Sequence, residues 1–152
     1  MNLSLDIQIA DDDSDHPPPA EFERWIKAAI GDRLSEAQLS LRIVTKQEIT
    51  TLNATYRGQT KTTNVLSFPA QLPDYIPVPL LGDLVICSAV VENEAKEQNK
   101  SSPSHWAHMV IHGTLHLLGY DHIDEGDAEI MENLEIDILN SLDIANPYSS
   151  VH

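Results

Sequence analysis

The sequence predicts an α+β fold: a single domain, residues 1–152, with about four strands and five helices. Three observations carry that prediction. Two segments alternate apolar and polar residues with period two, and several others repeat their apolar residues at helical spacing. The 152 residues also run without repeats, low-complexity stretches or a linker, and 41 % of them are hydrophobic, enough for one core.

From the N-terminus, Leu3, Leu5, Ile7 and Ile9 alternate with Ser4, Asp6 and Gln8, as in a half-buried strand. Asp11 to Pro19 is acidic and then proline-rich, which reads as a loop. Residues 20–31 set Phe22, Trp25, Ile26 and Ala29 at helical spacing, with Gly31 as the stop. Leu39, Leu41 and Ile43 alternate again as a second strand. Thr45 and Glu48 make a capping-box pattern, and Ile49, Leu52 and Tyr56 continue the helix it opens. Asn64 to Phe68 is a short strand halted by Pro69, followed by a loop holding Pro73, Pro77 and Pro79. Leu84 to Cys87 is apolar throughout, the pattern of a central strand covered on both faces. Ser88 to Lys100 reads as a helix. Ser102 and Pro103 read as the N-cap and first-turn proline of a fourth, which carries Trp106, Val110, Ile111, Leu115 and Leu118 and ends at Gly119. The last helix starts near Asp124 and turns Ile130, Met131, Leu134, Ile138 and Leu142 inward, leaving an acidic, solvated face over residues 124–143.

Composition excludes several classes. No apolar run reaches the roughly 20 residues of a membrane span. The first fifteen residues lack a basic start and an apolar h-region, so no secretory signal is expected. A lone cysteine, Cys87, allows no internal disulfide and suits a reducing, cytoplasmic setting; its apolar neighbours predict packing rather than metal ligation. The net charge of −15 opposes broad nucleic-acid binding. That charge is uneven. Residues 101–152 hold nine acids and no Lys or Arg, whereas residues 37–82 carry Arg42, Lys46, Arg57 and Lys61 against Glu48 and Asp74. A polyanion should be met by that middle segment.

Five of the seven histidines, His105, His108, His112, His116 and His122, fall within 18 residues. His112 and His116 stand four apart on a predicted helix, so both imidazoles share a face and can reach one ion. Gly119 permits the backbone to turn after the helix, which can return His122 to the same point. Three neutral imidazoles with an open fourth position describe a catalytic zinc site, although nickel, copper and iron also accept such ligands. His108 lies on the same face one turn earlier and competes for the third place; the post-glycine turn favours His122, leaving His108 to support a ligand or pack the helix. His16, His105 and His152 read as solvated surface residues. The spacing from His112 to His122 matches H-E-x-x-H-x-x-G-x-x-H, the pattern of the metzincin proteases, except that Gly113 replaces the glutamate that acts as general base. The site is zincin-like, and its missing carboxylate speaks against peptide hydrolysis.

Three stretches together resemble the YbeY endoribonucleases of bacterial rRNA maturation. They are His112-Gly-Thr-Leu-His-Leu-Leu-Gly-Tyr-Asp-His122, Leu52-Asn-Ala-Thr-Tyr-Arg57 with Thr63-Asn-Val-Leu-Ser-Phe-Pro69, and Leu81-Gly-Asp-Leu-Val-Ile-Cys87. The likeness spans roughly residues 40–140. The resemblance implies a mixed four-stranded sheet and one zinc ion held by His112, His116 and His122. It implies single-strand-directed cleavage of RNA, not DNA, in 16S rRNA 3′-end maturation and ribosome quality control, with ribosomal or small-subunit assembly partners in the cytoplasm. It also makes Arg57 the functional arginine. The second block departs from the family's usual lysine, aspartate and proline at Gln59, Thr60 and Thr62.

Phosphodiester cleavage builds charge on the phosphate, and a guanidinium fork matches that geometry. Read without the family, Arg57 at a helix C-terminus simply answers the helix dipole. No general base stands out: Asp121 is a turn residue or a proton acceptor beside His122, and Asp83 a loop carboxylate or a support for the site. A zinc peptidase without the usual glutamate and a non-enzymatic, metal-stabilised ribosome-binding protein are the rival classes.

Overall fold

Period-two patterning and β-branched composition make the strands, and the chain closes them into one four-stranded sheet. The computed structural model describes residues 2–11, 15–72, 79–121 and 124–148. The expectations placed on Pro73, Pro77, His122 and His152 therefore lie outside the described residues. In chain order the elements are β1 (Asn2–Ile9), α1 (Pro19–Ile30), β2 (Glu36–Val44), α2 (Lys46–Arg57), β3 (Val65–Pro69), β4 (Leu80–Cys87), α3 (Ser88–Glu97), α4 (Ser102–Leu117) and α5 (Glu125–Ser141). The sheet order is β1-β2-β4-β3. β1 runs parallel to β2 and β2 parallel to β4, while β3 is antiparallel to β4. The sheet is thus mixed, and the fold is the α+β architecture expected. Among the described residues no helix is long and apolar enough to cross a membrane.

Burial follows the patterning. β4 is an inner strand, and its run Leu84, Val85, Ile86 and Cys87 is buried on both faces. One face of the sheet carries the main core, where Phe22, Trp25 and Ile26 of α1 meet Trp106, Val110 and Ile111 of α4. Phe22 packs edge-to-face on Trp25 and Trp106 at ring separations of 5.9 and 5.7 Å. Such pairs add about 0.5–1.5 kcal/mol each beyond the area they bury. The opposite face holds a smaller cluster of Val44, Ile49, Leu66, Val85 and Cys87 under α2.

Local capping places the helices that matter. Thr45 caps α2, accepting from the Glu48 amide at 3.1 Å. Only half of the expected capping box forms, because the Glu48 carboxylate pairs with Arg42 at 2.7 Å instead. Ser101, one residue earlier than predicted, caps α4, and Pro103 lies in its first turn. α4 is apolar nearly all round, since α1, α3, α5, β3 and β4 surround it. Its C-terminal end emerges beside β3, and there the polar site lies.

Candidate metal centre and active-site cleft

His112 and His116 project from the last two turns of α4 on the same side. Their rings stand 4.6 Å apart with planes at 82°, and the two Nε2 atoms face each other at 3.1 Å. Two nitrogens at about 2.0–2.1 Å from one tetrahedral ion stand about 3.3 Å apart, so this donor pair fits a single zinc. Beyond them Gly119 takes φ +102°, a conformation that side chains disfavour, and turns the chain after the helix. The third expected ligand, His122, follows that turn outside the described residues. Among the described residues, accordingly, no trio of potential ligands is assembled.

Both histidines line a cleft of about 710 Å³ that also takes in Arg57, Asn64, Ser67 and Asp121. Arg57, the last residue of α2, therefore meets the histidines of α4 across one cavity. Its exposed guanidinium donates from Nη2 to the Ser67 carbonyl of β3 and lies 5.4 Å over the Phe68 ring. These contacts fix the side chain on the cleft wall by a neighbouring strand, which a simple answer to its own helix dipole does not require. Buried Asn53, which also lines the cleft, holds the following loop by donating to the Lys61 carbonyl at 3.0 Å.

Behind His112 lies a residue that the sequence reading misplaced. Glu135 belongs to the face of α5 expected to be solvated, yet it is fully buried. His112 Nδ1 donates to its Oε1 at 2.5 Å, and the Tyr148 hydroxyl donates to Oε2. His108 Nε2 lies 3.2 Å from that hydroxyl and 3.5 Å from Oε2. Burial alone pushes the carboxyl pKa up, but the hydrogen bonds from His108, His112 and Tyr148 outweigh it and hold the group at about 2. The Tyr148 hydroxyl is raised well above its ordinary value, by burial and by the Glu135 charge. A signal was present in the sequence: Glu135 falls in register with Met131, Ile138 and Leu139, the buried stripe of α5.

Other expectations need correction. His105 is 2 % exposed, not solvated, because α3 packs over it and Glu94 meets its Nε2 at 3.0 Å. His16 is half-buried, with Nδ1 2.9 Å from the Pro17 carbonyl. Asp83 is within β4 rather than ahead of it, and it accepts from Ser40 on the sheet face away from the cleft residues. Cys87 is buried as expected.

Gly113 explains the departure from the protease pattern. A Cβ there would meet Leu84 Cδ2 at 2.7 Å, Ser67 Oγ at 3.2 Å and Val65 Cγ2 at 3.3 Å. Ser67 Oγ also donates to the Gly113 carbonyl at 3.1 Å. A glutamate at this position would have to displace the side chains of Leu84, Ser67 and Val65, so the base of a peptidase does not fit this packing.

With that geometry established, two comparisons bear on it. A family model described as endoribonuclease YbeY matches residues 7–143. The solution structure of TM1509 from Thermotoga maritima superposes with a TM-score of 0.56 at 24 % identity, covering 90 % of this chain and 91 % of that one. At that identity the superposition speaks for the fold alone.

Proposed function

The chain belongs to the YbeY endoribonuclease family, and on that premise we propose that it is a zinc-dependent, single-strand-specific endoribonuclease of rRNA processing. Its target in this reading is the 3′ end of 16S rRNA, with a further part in ribosome quality control in the cytoplasm. The observation that carries the reading is the shared cleft: Arg57 lines the same cavity as His112 and His116.

His112, His116 and His122 hold the zinc ion. Held there, such an ion would act as a Lewis acid on a phosphoryl oxygen and would ease the deprotonation of water near neutral pH. Arg57 binds the scissile phosphate and stabilises the charge that grows on it. A guanidinium has five N–H donors, and its contact with Ser67 uses one of them. The β3 contacts hold the side chain in place beforehand, so little of its freedom is lost when RNA arrives.

Charge argues for an adaptor. The net −15 repels a polyanion over most of the surface. Arg42, one of four cations between residues 37 and 82, is already paired with Glu48. Naked RNA should therefore bind weakly and in a salt-dependent way, and a ribosomal protein or small-subunit assembly factor brings the enzyme to its substrate.

The test is metal analysis joined to an assay on an rRNA fragment that has a duplex and single-stranded ends. The wild-type chain should hold one zinc per molecule and cut only the single-stranded ends. A His116→Ala chain purified identically should do neither, which separates intrinsic cleavage from contaminating ribonuclease. Equal cleavage by both preparations would overturn the reading.

A further inference from the structure

A carboxylate with no exposure, on a helix otherwise rich in solvated acids, requires partners, because an unpaired charge in the interior is expensive. Among the described residues Glu135 has three, and they come from different parts of the chain: His108 and His112 from α4, and Tyr148 from the segment that follows α5. That segment folds back through a bond from the Ile144 amide to the Leu139 carbonyl, and it lines a small cavity with His108.

We propose that Glu135, braced by Tyr148 and His108, is the positioning residue that makes His112 a metal ligand, so that the C-terminal segment forms part of the metal centre. This rests on the three-histidine reading given above. A neutral imidazole carries one proton, and Glu135 accepts a hydrogen bond from Nδ1 of His112. The proton then sits on Nδ1, and Nε2, which faces His116, presents its lone pair. His108 is set the opposite way. Its Nε2 faces Tyr148 and Glu135, and its buried Nδ1 makes no hydrogen bond among the described residues. The same carboxylate thus selects His112 for the ion and keeps His108 as a brace.

Zinc affinity, measured by competition with a chromophoric chelator, tests this on the full chain and on Glu135→Gln and Tyr148→Phe. Glu135→Gln keeps the shape and removes the charge, and it should weaken zinc roughly 10–100-fold. Tyr148→Phe removes one hydroxyl from a side chain that is 44 % exposed, and it should weaken zinc several-fold while folding normally. Cobalt substitution adds a spectroscopic readout: the visible bands of the Co²⁺ form should shift in Glu135→Gln, which a merely structural tie between α4 and α5 would leave unmoved. If Glu135→Gln does not fold, Tyr148→Phe alone decides. Zinc affinity equal to wild type in the folded variants would overturn the proposal and leave the three-histidine site standing. A wild-type chain that binds no stoichiometric zinc would overturn both.

Discussion

The two halves of α4 each carry a pair of histidines about one turn apart, and the pairs sit in different surroundings. His105 and His108 in the N-terminal half are 2 % and 7 % exposed, enclosed by α3 and by the segment after α5. His112 and His116 in the C-terminal half are only half-buried, and they border the cleft between α4, β3 and α2. Helical spacing decides which histidines share a face. The neighbouring elements decide whether a ring is enclosed, like those of His105 and His108, or also reaches the cleft, like that of His112, which meets the buried Glu135 through Nδ1. A histidine here is enclosed or borders the cleft according to what stands across from it.

Removal of a proposed ligand should have the largest effect. His112→Ala, His116→Ala and His122→Ala should each lose stoichiometric zinc, with turnover falling about 10³-fold or more as several kcal/mol of charge stabilisation disappear. His105→Ala should keep its metal and show its cost in melting temperature alone. Elemental analysis and thermal melts on the same preparations check both halves of the helix. Full occupancy in His122→Ala would reassign the third ligand.

Arg57 comes next, since it stands across the cleft from the C-terminal half. Arg57→Ala should fold and bind zinc normally yet lose roughly 10²–10³ in rate, the typical worth of one transition-state donor. Arg57→Lys should also fail, because an ammonium cannot present two parallel donors to a phosphate. An arginine that served only its helix dipole would cost a few tenths of a kcal/mol in stability and nothing in turnover. Single-turnover cleavage measured beside zinc content separates the two roles.

Much of this was legible in the chain. Local signals located the nine elements among the described residues: alternation for β1 and β2, a stop at Pro69 for β3, an apolar run for the second half of β4, and helical spacing with caps such as Thr45 and Asp124 for helices. The pairing of His112 with His116 was equally local. Glu135 was not, because charge pattern alone assigns an acid on an acidic helix to solvent; its burial depends on donors supplied by α4 and by Tyr148. His105 was misread for the same reason, as its cover comes from α3. Arg57 was visible as a residue, but its meeting with the α4 histidines depends on β3 lying beside β4 at the sheet edge. Contacts between distant segments were the part that spacing does not encode.

Gly113 sharpens the comparison from within the C-terminal half, where it pins the helix to the sheet. Gly113→Ala gains about 0.8–1 kcal/mol of helix propensity. Against that, overpacking a filled site costs about 1–3 kcal/mol, and the new methyl would stand 2.7 Å from the fully buried Leu84. Overpacking should win, with a net loss near 1 kcal/mol and a melting temperature lower by a few degrees. A stabilised variant would show that Leu84 gives way and that position 113 is open to a larger side chain.

The smallest effect belongs to the buried half. Burial lowers the His105 pKa below its ordinary value, and Glu94 offsets this only in part. Below about pH 6.5, the unfolded chain then takes up a proton at this site that the folded chain resists. Stability from His105 is complete above that pH and is lost as pH falls toward the lowered folded value. His105→Gln keeps an N–H for Glu94 but has no proton to take up. Melting temperatures followed from pH 8 to pH 5 should therefore fall less steeply in the variant than in the wild type, with the difference appearing only below pH 6.5. Parallel curves would mean that His105 is protonated equally easily in both states, and that Glu94 rather than burial governs the buried half of α4.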